Sequence, residues 1–279
     1  MQLSFEHVQP LLVAALQEDL GSGDVTSNAV IADGVQARFA FVAREPLIVS
    51  GIGLLPHLFA ILDGTMICEL EAEDGEEIKA GARLAVIDGP ARSLLAGERT
   101  ALNLLQRMSG VATLTGRYVD AVEGTSARIV DTRKTIPGLR HLDKYAVACG
   151  GGQNHRIGLY DGVLIKDNHI AIAGSITLAV ERARAETPLL TKIEVECDTI
   201  QQVKEAVAAS ADMILLDNMI LEELREGVAL ARASHIATEA SGNVSLDTVR
   251  AIAETGVDYI SVGKLTHSAP AVDIGLDAF

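Results

Sequence analysis

KIEVECDTIQQVKEAVAASADMILLDN, residues 192–218, decides the fold of this 279-residue chain. It contains an apolar run of strand length, then a helical segment, then a second apolar run. Similar runs begin near Arg128, Val163, Ile236 and Tyr259, so strand starts recur roughly every 20 to 35 residues, with helical segments between the later ones. Strands that alternate with helices in this way predict repeated βα units and a parallel sheet.

Each of the six apolar runs ends in polar residues. These ends are Asp131 with Arg133, Lys166 with Asp167 and Asn168, Glu194 with Glu196, Asp217 with Asn218, Glu239 with Ser241, and Ser261 with Gly263. In a closed βα barrel the carboxyl ends of the strands form one rim, where active sites are found. Six polar ends in register therefore favour a barrel with a functional rim over an open doubly wound sheet. A complete barrel would need about eight strands, two more than the sequence supplies.

Residues 37–90 follow a different pattern, in which short strand-like runs are separated by turns. Asp-Gly pairs at 63–64, 74–75 and 88–89 are typical turn signals. An amphipathic helix is predicted from Glu6 to Leu20, and the pattern becomes helical again from Ala96. We therefore predict a small, mostly antiparallel β layer with flanking helices ahead of the βα region.

The charge distribution indicates a small anionic ligand. The chain has a formal charge of -15, yet between Arg99 and Lys166 ten Lys or Arg residues face five acidic residues. The remainder has 13 basic and 33 acidic residues, so most of its surface would repel nucleic acid. Aromatic residues make up only 3%, whereas base stacking needs exposed rings. We therefore expect no nucleic-acid partner.

We expect a cytoplasmic protein with no membrane association. The opening residues MQLSFEHVQP lack the basic region and apolar run of a signal peptide. No window approaches the run of about 18 apolar residues that a membrane-spanning helix needs. The three cysteines, Cys68, Cys149 and Cys197, form no CxxC pair, which favours a reducing compartment over a disulfide framework.

Residues 131–169, DTRKTIPGLRHLDKYAVACGGGQNHRIGLYDGVLIKDNH, hold a dense group of cations. Arg133, Lys134, Arg156 and Lys166 lie at or near strand ends or beside a run of glycines, where several converging arginines would grip a dicarboxylate. His155 is placed to donate to an anion or to shuttle a proton. The other cations fit solvated surface charges (Arg107, Arg117 and Arg128) or stay unassigned (Arg140 and Lys144).

Acidic residues at two neighbouring strand ends predict a site for a metal ion or for ribose hydroxyls. Glu194 and Glu196 share one strand face because side chains alternate along a strand, and Asp217 ends the next strand. Side chains at adjacent strand ends can share one Mg²⁺. We assign Glu196 and Asp217 to this role, and Glu194 to an ion pair with a barrel lysine such as Lys192. No His/Cys spacing suggests zinc.

A phosphate site is predicted after the last two strands. EASGNVSLDTV, residues 239–249, places Gly242 at the turn into a helix that begins at Ser245, and the N-terminus of a helix favours anions. The next strand ends in SVGKLTH, residues 261–267, where Gly263 permits close approach of the backbone. Either glycine alone would indicate only a tight turn. Together, on consecutive strand ends, they favour phosphate.

These motifs resemble those of the quinolinate phosphoribosyltransferase family. The likeness is carried by EDLGSGDVTS at 18–27, GERTALN at 97–103, the run at 131–156, KDNH at 166–169, IEVE at 193–196, LLDNM at 215–219, SGN at 241–243 and SVGKLTH at 261–267. The resemblance implies an α/β protein with an N-terminal α/β sandwich domain, residues 1–108. It also implies a C-terminal incomplete βα barrel of seven strands, residues 109–269, and a tail, residues 270–279, that packs back on the first domain.

The resemblance also implies a reaction. Members of the family transfer phosphoribosyl from phosphoribosyl pyrophosphate to quinolinate with decarboxylation. The products are nicotinate mononucleotide, pyrophosphate and CO₂, on the de novo NAD pathway, and Mg²⁺ is the cofactor. The resemblance further implies a homodimer or a higher homo-oligomer, in which the arginine that matches Arg99 reaches the site of a neighbouring subunit.

The site residues implied by the resemblance fall into overlapping groups. The quinolinate group is Arg99, Arg133, His155, Arg156 and Lys166. The phosphoribosyl pyrophosphate group is Lys134, Glu196, Asp217, Ser241, Gly242, Asn243, Gly263 and His267. Lys134, Glu196 and Asp217 are also the expected catalytic residues, and Glu196 and Asp217 are expected to hold Mg²⁺, directly or through water.

Three alternatives stay open from the sequence. A Schiff-base lyase or aldolase on a barrel would use Lys166 or Lys192 as nucleophile. A paralogue linked to molybdate transport should lack part of the dicarboxylate grip, although Arg133, His155 and Arg156 are all present here. A non-catalytic metabolite-binding protein would bind quinolinate without consuming it.

Overall fold

A computed structural model describes residues 3–278. Met1 and Gln2, the start of the segment in which no signal peptide is predicted, and Phe279, the end of the predicted tail, lie outside the described residues. In chain order the first elements are α1 (Phe5–Leu20), α2 (Val25–Val30), β1 (Gln36–Ala43), β2 (Leu47–Ile48), α3 (Leu54–Leu62), β3 (Ile67–Leu70), β4 (Glu77–Ile78), β5 (Arg83–Pro90) and α4 (Ala91–Ala121).

The strand–helix alternation follows. Its elements are β6 (Arg128–Val130), α5 (Arg140–Cys149), β7 (Val163–Ile165), α6 (Asp167–Ala173), α7 (Ile176–Glu186), β8 (Ile193–Cys197), α8 (Ile200–Ala208), β9 (Met213–Asp217), α9 (Leu221–Arg232), β10 (Ala237–Ser241), α10 (Val249–Ala253), β11 (Tyr259–Ser261), α11 (Lys264–His267) and β12 (Ile274–Ala278). The chain divides into two units. One contains the residues up to Gly116, Thr135–Gly151 and the residues from Leu265 onward, and the other contains Arg117–Lys134 and Gly152–Lys264.

The first unit contains a four-stranded antiparallel sheet in the order β12-β1-β5-β3, so its outer strand β12 comes from the C-terminal end of the described chain. The predicted antiparallel layer with flanking helices is confirmed. Residues 46–52, one of the strand-like runs within 37–90, form a strand of only two residues, β2, and Gly51 with a φ of +90° precedes α3. The core of this unit is largely aliphatic and includes two aromatic rings, Phe41 and Phe59, whose centroids lie 6.3 Å apart.

The second unit contains a six-stranded parallel sheet in the order β6-β11-β10-β9-β8-β7. Its strands are the six read from the sequence. A single parallel bridge joins Val130 of β6 to Gln153. The seven strands implied by the family resemblance are reached only when Gln153 is counted as a seventh strand position. Among the described residues no pairing joins β7 to β6, which agrees with an incomplete barrel.

Two helix starts differ from the sequence prediction. Helix α4 begins at Ala91 and not near Ala96, directly after Pro90, whose fixed φ suits the entry to a helix. Helix α10 begins at Val249 and not at Ser245, and it is preceded by a turn in which the N–H groups of Thr248 and Val249 both donate to the Ser245 carbonyl. Within residues 3–278, no helix is long and apolar enough to cross a bilayer.

Candidate active site

The carboxyl ends of the parallel strands bring the predicted acidic residues together. Asp217 at the end of β9 pairs in register with Ser241 at the end of β10. On the other side of β9, Glu196 of β8 lies beside Leu215. Parallel strands in register thus place residues distant in sequence on one rim, as the sequence pattern predicts.

A cavity of about 570 Å³ opens at this rim within the second unit. Ten of the predicted site residues line it: Arg133, Lys134, His155, Arg156, Lys166, Glu196, Asp217, Ser241, Gly242 and Asn243. Gly263 is not among the lining residues. Arg99 and His267 are exposed residues of the first unit.

The cations of the cavity differ in how firmly they are held. Arg156 is half-buried and its Nη1 donates to the Gly162 carbonyl at 3.0 Å. Burial lowers the pKa of Arg156, and the neighbouring positive charge of Arg133 lowers it further. The ammonium of Lys166 pairs with Glu196, so the structure joins one residue of the predicted quinolinate group to one of the predicted ribose and metal group.

His155 faces two buried carboxylates. Its Nε2 lies 3.0 Å from Glu194 Oε2, with which it forms a hydrogen bond, and 3.3 Å from Glu239 Oε2. On the other side of the ring, the backbone N–H of Arg156 donates to Nδ1 at 2.7 Å. Both ring nitrogens are therefore engaged with protein groups.

The pKa values of His155 and Glu194 are both raised in this cluster. Burial lowers the pKa of His155, but hydrogen bonding to the two carboxylates raises it more strongly, to about 10. Burial raises the pKa of Glu194, against the lowering effect of His155. The N–H donated by Arg156 requires a bare Nδ1, and a second proton on the ring would break this hydrogen bond. The geometry therefore describes a neutral ring with its proton on Nε2, although the two carboxylates favour a second proton.

The predicted ion pair between Glu194 and Lys192 was wrong, because Glu194 pairs with His155. The side chain of Glu194 is 7% exposed and that of Glu239 is 1% exposed. Within residues 3–278 Glu194 Oε1 accepts no hydrogen bond, and Glu239 Oε2 contacts His155 Nε2 at 3.3 Å. A buried acceptor without a hydrogen bond lowers the stability of the fold, and such acceptors are typical of functional sites.

Asp131 fixes the segment that carries His155. This fully buried carboxylate at the end of β6 accepts from the His155 N–H at 2.9 Å and from Asn154 Nδ2 at 2.7 Å. The backbone N–H of Asp131 also donates to the Gln153 carbonyl at 3.1 Å. The two predicted motifs DTRK and NHR are thus joined by a shared buried acid.

The segment after β10 has a backbone that requires glycine. Gly242 has a φ of +95° and Asn243 a φ of +50°. A Cβ on Gly242 would lie 2.2 Å from Asn218 Oδ1 and 2.9 Å from the Asn218 backbone nitrogen. The helix predicted to begin at Ser245 begins at Val249, four residues further from this segment.

Arg107 was assigned to a solvated surface charge, and this was wrong. Its side chain is 21% exposed, and its guanidinium donates to both oxygens of buried Asp143 at 2.9 and 3.0 Å. It also donates to the Thr266 carbonyl at 2.8 Å. Arg117 and Arg128 are exposed as predicted. Of the two cations left unassigned, Lys144 is fully buried and Arg140 donates to Thr135 Oγ1 at 2.6 Å.

Three polar residues of the site were read from the sequence as strand ends of the rim but were given no role in the site. Asp131 and Glu239 line the cavity, and Glu194 lies behind them. Glu194 precedes Glu196 by two residues, and Glu239 precedes Ser241 by two, so strand alternation alone places each on the face of a predicted site residue. Strand alternation thus indicates the face on which each carboxylate lies, but it does not indicate which residue pairs with it.

Comparisons with known proteins agree on one family. The models of the C-terminal and N-terminal domains of quinolinate phosphoribosyl transferase match residues 111–277 and 24–109. The chain is 45% identical over 260 residues to the probable carboxylating nicotinate-nucleotide pyrophosphorylase of Bacillus subtilis (strain 168), covering 93% of this chain and 89% of that protein. It is 44% identical to the Mycobacterium leprae (strain TN) carboxylating nicotinate-nucleotide pyrophosphorylase, covering 98% of each.

A solved structure supports the same assignment. The structure of NadC from Streptococcus pyogenes superposes with a TM-score of 0.95 at 38% identity, covering 100% of this chain and 99% of that one. The chain therefore belongs to the quinolinate phosphoribosyl transferase family.

Proposed function

We propose that this chain transfers phosphoribosyl from phosphoribosyl pyrophosphate to the ring nitrogen of quinolinate and releases CO₂. The products are nicotinate mononucleotide and pyrophosphate, in de novo NAD biosynthesis. One observation carries the proposal: the cations of the DTRK and NHR motifs share a single cavity with Glu196, Asp217 and the segment after β10. Family membership supports it, because the relatives are named for this reaction.

Quinolinate has two carboxylates, and the cationic part of the cavity would hold them. Arg133, Arg156 and Lys166 would supply the positive charges, with His155 in the wall beside them and Arg99 added from a second subunit. Arginine suits this task because its planar fork matches a carboxylate. Holding the ring in one orientation is a large part of the catalysis in this proposal.

Phosphoribosyl pyrophosphate would lie across the acidic part of the rim. Ser241, Gly242 and Asn243, with Gly263 and His267, are proposed for its 5-phosphate, and Lys134 for its pyrophosphate. Glu196 and Asp217 are proposed to stabilise the positive charge that develops at ribose C1.

Mg²⁺ is the cofactor we propose. The half-buried carboxylates of Glu196 and Asp217 end adjacent strands, and carboxylate oxygens with substrate phosphates are the ligands that Mg²⁺ prefers. When bound, the ion would offset the negative charge of pyrophosphate.

The reaction needs no redox cofactor. The pyridine nitrogen bonds to ribose C1 as the bond from C1 to the pyrophosphate oxygen breaks, and pyrophosphate takes that electron pair. The ring nitrogen becomes cationic. When the carboxylate at C2 leaves as CO₂, its bonding pair stays at C2 beside the cationic nitrogen, and a proton from solvent completes the C–H bond.

We also propose a homodimer or larger assembly in the cytoplasm. The exposed position of Arg99 on α4 supports a role towards a second subunit. All three cysteines are free thiols, which supports a reducing compartment.

The test is direct. The purified protein is incubated with quinolinate, phosphoribosyl pyrophosphate and Mg²⁺, and nicotinate mononucleotide and CO₂ are quantified, with reactions that omit each substrate as controls. Equimolar formation of both products is expected. Binding of quinolinate without turnover would refute the transferase and favour a metabolite-binding protein.

Borohydride separates the transferase from a Schiff-base lyase. The ammonium of Lys166 is paired with Glu196, and Lys192 lines a different cavity, so no covalent adduct with a carbonyl substrate is expected. Borohydride trapping followed by mass spectrometry would detect one. An adduct at Lys166 or Lys192 would refute the transferase mechanism.

A further inference from the structure

Three polar side chains lie one pleat below the rim of the site cavity. Glu194 precedes Glu196 on β8, and Glu239 precedes Ser241 on β10, each by two residues, so each pair shares a face of the sheet. One atom each of His155, Glu194 and Glu239 lies within 4.8 Å of the others. We name His155, Glu194 and Glu239 the floor triad.

The floor triad separates two cavities. His155 and Glu239 line the site cavity, and both also line a second cavity of about 280 Å³. Val163 and Tyr259, the first residues of β7 and β11, line the second cavity, which places it at the amino ends of the strands. Glu194 lines only the second cavity, so it acts on the site cavity through a neighbour and not by contact.

A chain of hydrogen bonds leads from Glu194 to Arg156. Glu194 holds His155 Nε2 at 3.0 Å, and His155 Nδ1 in turn accepts the backbone N–H of Arg156 at 2.7 Å. The guanidinium of Arg156 is held separately by the Gly162 carbonyl. The ring of His155 is thus fixed between a buried acid and the backbone of the arginine that follows it.

We propose that Glu194 is a positioning residue. Together with Glu239 it orients His155, and through His155 it orients Arg156 towards the substrate carboxylates. The inference rests on the proposed function. It assigns His155 an indirect role in the quinolinate group, because both ring nitrogens are engaged with protein groups although the residue lines the cavity.

The same three residues offer a nitrogen and two carboxylates, a donor set that also suits a transition metal. A neutral imidazole that binds a metal through Nε2 carries its proton on Nδ1. Here Nδ1 already accepts an N–H, and a proton there would break that bond. The geometry therefore points to a positioning triad.

The experiment measures KM for each substrate separately. In Glu194→Leu, the KM for quinolinate should rise about tenfold, because a shift of His155 and Arg156 by a fraction of an ångström weakens quinolinate binding. The KM for phosphoribosyl pyrophosphate should stay within about twofold. Glu194→Gln should restore most of the affinity, since its amide oxygen still accepts from Nε2. The matched control is Glu205→Leu, which removes a half-buried carboxylate that accepts from Thr177 N–H and Oγ1 outside the site.

A double-mutant cycle tests whether Glu194 acts on substrate binding through His155. Glu194→Leu combined with His155→Phe should be no worse than His155→Phe alone, because both remove the same link. Independent, multiplicative effects would overturn the proposal, as would equal rises in both KM values. The ¹⁵N shifts of His155 in the unaltered protein should show a bare Nδ1, a reading that does not depend on any variant folding.

Two further outcomes are decisive. Micromolar binding of Mn²⁺ or Zn²⁺ that Glu239→Gln abolishes would overturn the positioning role in favour of a metal site. An unaltered protein without turnover would refute the proposed function. An unaltered protein with turnover and an unchanged KM in Glu194→Leu would refute this inference alone.

Discussion

Replacing Gly242 with alanine should weaken the binding of phosphoribosyl pyrophosphate more than that of quinolinate. The φ of +95° at this position disfavours any side chain, and the new Cβ would lie 2.2 Å from Asn218 Oδ1 and 2.9 Å from the Asn218 backbone nitrogen. The side-chain amide can rotate away, but the backbone nitrogen is held by its hydrogen bond to the Ser241 carbonyl at 3.0 Å. The segment after β10 must therefore shift.

The magnitude follows from the strain. A residue forced into such a conformation costs about 1–3 kcal/mol. If the segment relieves this strain by leaving the position proposed to bind phosphate, the loss equals about 5- to 150-fold in affinity, since 1.4 kcal/mol is about tenfold. Steady-state kinetics with each substrate varied in turn would report it as a rise in KM for phosphoribosyl pyrophosphate.

Gly256 supplies the matched control. It has a similar φ of +91°, but a Cβ there would meet only side-chain atoms, the end of Arg232 at 3.3 Å and Val228 Cγ1 at 3.7 Å, and Gly256 does not line the site cavity. Gly256→Ala should lower the thermal midpoint without changing either KM. A folded Gly242→Ala protein with an unchanged KM for phosphoribosyl pyrophosphate would refute the reasoning.

Three further predictions concern arginines. Arg133→Ala and Arg156→Ala should each lower kcat/KM for quinolinate by about 10- to 100-fold, since a charged hydrogen bond contributes about 1.5–3 kcal/mol. Arg99→Ala subunits mixed with Arg156→Ala subunits should show more activity than either variant shows alone. Arg107→Met should lower the free energy of unfolding at neutral pH by about 3–5 kcal/mol, because the carboxylate of Asp143 stays buried without its partner. Burial already raises the pKa of Asp143 although Arg107 opposes it, so this deficit should shrink as the pH falls and the carboxyl is neutralised.

Each of these predictions has its own control. Arg128→Ala removes an exposed arginine at the opposite end of β6 and should leave kcat/KM unchanged. An equal loss in this variant would contradict the assignment of Arg133 and Arg156 to the quinolinate carboxylates. For the mixed subunits, exchange is first shown with labelled protein. No recovery after exchange would contradict a shared site. Denaturant unfolding of Arg107→Met at several pH values would contradict the ion-pair argument if the deficit were constant.

The residues at the rim could be predicted because the sequence pattern that marks them is local. Polar residues follow each apolar run directly, and parallel strands bring their carboxyl ends to one edge whatever the loops do between them. Asp217 and Ser241 lie 24 positions apart and become neighbours in register for this reason. Fold class and most of the cavity lining are accessible at this level.

The start of α10 was not predictable in the same way. Ser245 is a good N-cap residue, and the sequence pattern alone favours a helix from that point. Instead Thr248 Oγ1 accepts from the Ser245 N–H at 3.0 Å and the residues between them close a turn. Side chains that bond to the local backbone compete with helix formation, and sequence does not reveal which arrangement prevails.

The partners of buried charges were the hardest to predict, and the reason is physical. Alternation fixes the face on which Glu194 lies, and any cation on that face would satisfy the sequence pattern. His155 reaches it from a segment outside the named strands, held in place by Asp131 at the end of β6. Arg107 meets Asp143 in the same manner, across 36 positions. A charge cannot stay buried alone, so the sequence requires that each has a partner, and only the packing of distant segments decides which one.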